Sequence, residues 1–358
     1  MRFCFVVNKF VRGMGIAEYL NGLCGYLRRD NSIEIVTPVS DFSYKSVKIA
    51  RYGSSLPGLK YFLPYKTGKL GRYDLVVSNY PTLTAVKTGK KIAEEQKIPH
   101  VIIDYGVAEA EHFKDLRARA AHYIGSKSMK KYYSGADAVF SISRFLQKNV
   151  ERMGLRSEAI YGGIDFRRFQ KKKNTGILKK IKLEKENYAL FIGRASPHKG
   201  THLLIKAFGI LDWPIPLVIA GGHPIGGYAD ELKKMGGNVI FTGKIPNDEL
   251  DELLQNCAMY VTASLWEGLN LPLLEAQACG KPVIAFDHCS HPEVVQKNET
   301  GFLVKPLDLN EFANRINILI KDKKKRDAMG KKAKIFAKKF DWSIIGRRIE
   351  KKFSAVLK

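Results

Sequence analysis

Short runs of β-branched and other apolar residues alternate along the chain with stretches whose apolar positions recur every three to four residues. The runs read as strands and the stretches as amphipathic helices, and their alternation is the pattern of parallel α/β units. In the first half, strands are predicted over 2–7, 33–37, 74–78, 98–103, 137–141 and 158–161, with helices at about 15–29, 82–96, 115–134 and 143–153. Residues 40–72, rich in Gly, Pro, Tyr and Lys, read as a strand or two plus long loops. A second series follows, with strands near 188–192, 215–220, 238–241, 257–262 and 282–285. Helices intervene near 200–210, 228–235, 247–255, 272–279, 290–297 and 308–321, and the last fifty residues read as wholly helical. Ser290 with Glu293, and Asp308 with Glu311, have capping-box spacing at two of these helix starts.

Between the two series lies 165–186 (DFRRFQKKKNTGILKKIKLEKE), basic and poor in apolar residues, which reads as an interdomain connection. The fold class expected is therefore α/β, with two Rossmann-like domains over 1–164 and 165–340. A terminal helix at about 341–358 is placed to pack back on the first. Ligands of open α/β sheets bind outside the carboxyl ends of the strands, so a cleft between two such edges is the expected site.

Composition narrows the classes. With 358 residues, 45% of them apolar and 27% charged, the chain is long enough for two ordinary domains and falls among globular proteins. Five cysteines without C-x-x-C spacing point to reduced thiols in a cytoplasmic protein, not to a disulfide framework or a metal site. The opening apolar run is too short for a secretory segment, and no stretch approaches the roughly 18 apolar residues of a membrane span. The net charge of +25 is spread over both halves and favours anionic ligands: phosphorylated compounds, anionic lipid or nucleic acid. A lysine-rich solvated surface accounts for it equally well. Basic, amphipathic 112–133 has the same two readings, an anionic membrane surface or a solvated helix face.

Two stretches carry chemistry. In Ser264–Ala285 (SLWEGLNLPLLEAQACGKPVIA), Glu267 and Glu275 stand eight residues apart, flanking Gly268 and a Pro272 suited to a first helical turn. Glu267 falls in the loop after a strand and Glu275 on the following helix, both toward one crevice. A carboxylate accepts from sugar hydroxyls, and the amides of Gly268, Leu269 and Asn270 can address an anion or a sugar oxygen. In Phe191–Gly200 (FIGRASPHKG), a strand, the Gly193 turn, Arg194 and Lys199 lead into a helix, placing two cations and free amides where a diphosphate fits.

Together these stretches resemble the retaining GT-B glycosyltransferases with the E-x7-E motif, the family that includes sucrose synthases and lipid-sugar mannosyltransferases. EGLNLPLLEA and ACGKPVIA follow the family pattern almost residue for residue, with Asn270 where a small residue or glycine is usual. YGGIDFRRF (161–169), IAGG (219–222) and FTGKI (241–245) match more weakly, and the resemblance covers about 130–305 well. It implies that Arg194 and Lys199 neutralise the donor diphosphate, that Glu275 holds the ribose and that Glu267 contacts the donor sugar. Lys244 and Ile245 would line the base pocket. It also implies an N-terminal acceptor domain and a C-terminal donor domain. Gly13 and Gly15, in the turn after the first strand, match the family's glycine loop, although Glu18 stands where a dinucleotide fingerprint needs its third glycine. The residue of the N-terminal domain facing the reacting centre is either Asp104 or His112.

The function expected is transfer of a sugar, with retention, from a nucleoside-diphosphate sugar to a glycan or lipid-linked hydroxyl. No cofactor is expected. No metal is expected either, because the chain has no D-x-D pair and the cations can stabilise the leaving diphosphate instead. A nucleotide-sugar epimerase of the same fold and a basic nucleic-acid binder are the alternatives. The first does not need the E-x7-E block, and the second leaves the paired glutamates unexplained.

Overall fold

The computed structural model describes residues 1–42, 44–51, 63–80, 83–106, 129–211, 215–222 and 228–358. They divide into two compact units, Met1–Gly163 with Trp342–Lys358, and Ile164–Asp341.

In the first unit, seven strands form one parallel sheet: β1 (Arg2–Val6), β2 (Ser32–Thr37), β3 (Val47–Ile49), β4 (Leu75–Tyr80), β5 (His100–Asp104), β6 (Ala138–Ser141) and β7 (Glu158–Ala159). Their order across the sheet is β3-β2-β1-β4-β5-β6-β7. In the second unit, six parallel strands run in the order β10-β9-β8-β11-β12-β13. These are β8 (Ala189–Ile192), β9 (Leu217–Ala220), β10 (Val239–Gly243), β11 (Met259–Thr262), β12 (Val283–Phe286) and β13 (Gly301–Val304). Both orders are Rossmann-like: each chain path runs outward from its first strand, then returns to lay the fourth on the other side. Central strands such as MYVT and VIAF are buried at every position, because helices cover both faces of a parallel sheet. Two such parallel-sheet units in one chain are the GT-B architecture.

The Trp342–Val356 helix packs into the first unit through Ile345, Ile349 and Phe353. Phe353 meets Phe3 edge-on at 5.8 Å, and the Trp342 indole fills the space a side chain would need at Gly22 and Gly163. Among the described residues no helix is long and apolar enough to cross a membrane.

The structure corrects three local expectations. Residues 165–186 are not a free connection: they lie within the second unit, with Phe169 and Ile177 buried. The Arg168 guanidinium grips the buried Asp251 carboxylate through two bonds of 2.8 and 2.7 Å. Basic composition concealed a segment anchored by a few specific contacts. The Ser290 hydroxyl makes no helix cap and donates instead to the Glu267 carbonyl at 3.1 Å. Finally β13, a four-residue run inside a turn-rich stretch, is not among the predicted strands; it pairs with β12 along its whole length.

Candidate active site

In the second unit, β8 and β11 are adjacent, and the chain leaves them in opposite directions across the sheet. The crevice outside their carboxyl ends is the switch point where ligands of doubly wound sheets bind. The loop after β8 carries Gly193, Arg194 and Lys199; the loop after β11 carries Glu267 to Asn270. A left-handed glycine brings the two together. Gly200 sits at φ +63°, and a Cβ there would lie 1.9 Å from the Ala263 carbonyl oxygen. Only a residue without a side chain lets the Thr201–Phe208 helix start so close to the end of β11. The Leu265 amide then donates to the His198 carbonyl at 2.8 Å, tying one loop to the other.

Across this junction the Lys199 ammonium donates to both Glu267 oxygens, each at 2.7 Å. Glu267 is buried and Lys199 about a quarter exposed, so the pair is largely withdrawn from water. Behind it stands a relay. The Asn270 amide donates to Glu267 Oε1 at 3.2 Å and lies 3.2 Å from His291 Nε2, while His291 Nδ1 is 2.8 Å from the Phe286 carbonyl. A carbonyl only accepts, so Nδ1 carries the proton and Nε2 accepts from Asn270. Burial holds the His291 pKa below the ordinary imidazole range, which keeps the ring neutral in this arrangement. Asn270, the departure from the family pattern, is therefore half of a buried pair whose other half is His291. The sequence reading places neither His291 nor Ser290 at the site. The only hint there is two polar residues at the start of a short helix close after β12.

Arg194 is exposed, and among the described residues its guanidinium has no hydrogen-bond or ion-pair partner. None of the described residues accepts from the backbone N–H groups of Gly268, Leu269 or Asn270. These donors and the guanidinium lie in the two loops that the Lys199–Glu267 pair joins. Glu275 is half-buried in the second turn of the Leu271–Ala278 helix, which directly follows the loop after β11. Burial raises the Tyr260 phenol well above its usual range against the lowering effect of its bond to Ile192, and the charges of Glu267 and Glu275 add to the rise. Lys244 and Ile245 follow the outer strand β10, whose Gly243 carbonyl accepts from the Gly221 amide at 3.0 Å. Gly193 closes β8, its amide bonded to the Ala220 carbonyl at 2.8 Å.

The remaining predicted residues belong to the first unit. After β1, the Gly13 amide is already taken by the Glu18 carboxylate at 2.7 Å, and the Arg12 amide by Asp41 at 2.9 Å. This turn satisfies its own donors, whereas Gly15 opens the first helix with nothing within 4 Å of where a Cβ would stand. Asp104 ends β5 and is buried, accepting from the Tyr133 hydroxyl at 2.8 Å and the Gly106 amide at 2.9 Å. Burial pushes its carboxyl up to about 6 despite those donors. Beside it the Tyr105 hydroxyl donates to buried Asn79 at 2.8 Å. Asn79 is legible in the sequence only as a polar interruption of the apolar run LVVSNY. His112 lies outside the described residues, as does most of 112–133. Among the described residues, no group of three or more His, Cys, Asp or Glu side chains is placed to hold a metal ion.

The sequence model of the family described as glycosyl transferases group 1 matches residues 174–336, which contain every second-unit site residue named above. An uncharacterized glycosyltransferase of Methanocaldococcus jannaschii is 26% identical over 293 residues, 80% of this chain and 78% of that protein. The O-antigen chain mannosyltransferase B of Escherichia coli is 30% identical over 177 residues, 46% of this chain and 45% of that one. In fold, the chain is similar to the Anabaena protein HepE, crystallised with UDP and glucose. The TM-score is 0.81 at 21% identity, covering 99% of this chain and 100% of that one. The group 1 model matches a stretch within the second unit, and the chain folds as two parallel-sheet units: the protein is a glycosyltransferase of the GT-B class.

Proposed function

We propose that the protein moves a sugar, with retention at the anomeric carbon, from a nucleoside-diphosphate sugar to a hydroxyl of a glycan or lipid-linked acceptor. The observation that carries this reading is the Lys199–Glu267 pair at the β8/β11 switch point, beside the Arg194 guanidinium and the amides at 268–270. Cleavage of the anomeric bond builds negative charge on the departing diphosphate. Arg194, Lys199 and the loop amides are cations and dipoles already in position for that charge, the arrangement that lowers such barriers most. Charge stabilisation by these groups is the reason a metal is not required in this reading, and no separate cofactor takes part.

Glu275 holds the ribose, Gly193, Lys244 and Ile245 border the base, and Glu267 addresses the donor sugar. Gly13 and Gly15 contribute through the shape of their turn, since the Gly13 amide is engaged by Glu18. The first unit binds the acceptor, with Asp104 at the end of β5 facing the reacting centre. The similarity to an O-antigen mannosyltransferase and to a fold seen with UDP and glucose supports glycan and nucleotide-sugar chemistry. The basic surface suits a cytoplasmic enzyme working beside an anionic membrane, and nucleic acid is not its partner.

The direct test is to incubate the protein with a panel of UDP- and GDP-sugars and acceptors, then read the product's anomeric configuration by NMR. The donor's configuration is expected in the product; inversion would contradict the assignment.

Asp104 supplies a second, pH-resolved expectation. Its folded pKa lies above that of an unfolded aspartate, so the native state holds the proton more tightly. The associated stability is complete below about pH 4 and is lost as pH rises through about 6. Asp104→Asn removes that loss. The variant should gain on the order of 2 kcal/mol over the parent at pH 8 and nothing at pH 4, read by denaturant unfolding. Its sugar transfer should fall at least tenfold; full activity would remove Asp104 from the reacting centre.

A further inference from the structure

At the opposite, amino-terminal edge of the second sheet is a pocket of about 220 Å³, many times the roughly 30 Å³ occupied by one water. It lies where the chain enters β8, β11 and β12, bordered by Glu186, Ala258 and Pro282 just ahead of those strands. The Lys323–Ala337 helix forms its other wall. That helix sits tightly against the turn before β12: a Cβ on Gly330 would fall 2.1 Å from the Gly280 carbonyl oxygen. The wall position is thus fixed by two glycines in contact.

Four cations line this pocket, Lys281, Arg326, Lys331 and Lys334, against two carboxylates, Glu186 and Asp327. The carboxylates are already engaged. Glu186 takes Lys323 at 2.5 Å and Arg326 at 3.6 Å, and Asp327 lies 3.6 Å from Lys323. Arg326 is buried and spends a second donor on the Leu319 carbonyl at 2.9 Å. Lys281, Lys331 and Lys334 make no ion pair among the described residues, although Lys281 feels the Glu186 charge, and all three line one concavity. Like charges gathered in a concave wall repel one another in the empty protein and focus a positive potential into the space between them. An anion entering that space relieves the repulsion and meets three ammonium groups, the point-charge donors that suit phosphate.

We propose that this pocket is a second anion site, distinct from the donor site, which takes a phosphate or diphosphate group through Lys281, Lys331 and Lys334. The same chemistry is offered by a phosphorylated solute and by an anionic lipid headgroup. Exposed Ile335, on the same helix, gives the second source an apolar contact beside the charges.

The test is a calorimetric titration of the full chain with pyrophosphate, comparing the parent, Arg194→Ala and the double variant Lys281→Ala/Lys334→Ala. The parent should bind at two classes of site. Arg194→Ala should lose the donor-edge class and keep the other; the double variant should weaken that other class at least tenfold and keep nucleoside diphosphate binding. Both lysines reach solvent, so a thermal melt matching the parent's is expected and separates lost binding from lost fold. Sedimentation with phosphatidylglycerol vesicles, against phosphatidylcholine, identifies the source. Capture that depends on the two lysines marks a lipid headgroup, and no capture with pyrophosphate binding intact marks a soluble phosphate. A double variant that titrates like the parent overturns the site, whatever happens to Arg194→Ala.

Discussion

Glu267→Gln should lower sugar transfer by about a hundredfold, near 3 kcal/mol in the barrier, while nucleoside diphosphate binds several-fold more tightly. The two effects have opposite signs because the Lys199 ammonium is committed to Glu267 through two 2.7 Å bonds in the unliganded protein. An incoming diphosphate must compete with a buried carboxylate for that cation. Glutamine keeps the shape and one acceptor for Asn270 but removes the charge, so Lys199 is released to the phosphates. An exposed pair contributes about 1 kcal/mol and one this far withdrawn from water more, so a several-fold gain is the least expected. The loss in turnover follows because the carboxylate no longer addresses the donor sugar. Steady-state kinetics and calorimetry on one preparation check both. Weaker binding together with slower turnover would show that Lys199 and Glu267 meet the donor as separate groups.

Gly200→Ala should cost about 3 kcal/mol or more of stability and nearly all activity. The φ of +63° alone costs an alanine roughly 1–2 kcal/mol. The added methyl also meets the Ala263 carbonyl at 1.9 Å, which only a shift of the backbone relieves. That shift moves Lys199, the preceding residue, away from Glu267, so the chemistry suffers beyond the loss of stability. Gly15→Ala is the matched control: it stands at a helix start with open space around it. There alanine should be neutral or stabilising by up to about 1 kcal/mol. Denaturant unfolding of the two variants reads the contrast directly; similar costs at both positions would refute the packing described for Gly200.

Where strands and helices alternate, the sequence is legible because each run has only one way to bury itself. VIAF and MYVT read as strands, and a sheet covered on both faces is where they end. Glu267 and Lys199 are legible because loops after parallel strands converge at a switch point. What stays hidden depends on pairings through space. That Asn270 leans on His291, or that Ser290 holds the Glu267 carbonyl, follows from the path of a loop and not from spacing. The Gly13 turn resembles the family's glycine loop, yet its amide is capped by Glu18, the residue that breaks the glycine fingerprint. A substitution that looks like a missing glycine is the group that satisfies the turn.

In the proposed donor site a nucleoside diphosphate rests on the carboxyl edge of the second sheet, its phosphates on Arg194 and Lys199 and its ribose on Glu275. Calorimetric titration of UDP and GDP into the parent protein, Arg194→Ala and Glu275→Ala tests it most directly. At least one of the two nucleotides is expected to bind the parent and to lose tenfold or more in affinity in each variant. Unchanged affinity in both variants would contradict the account.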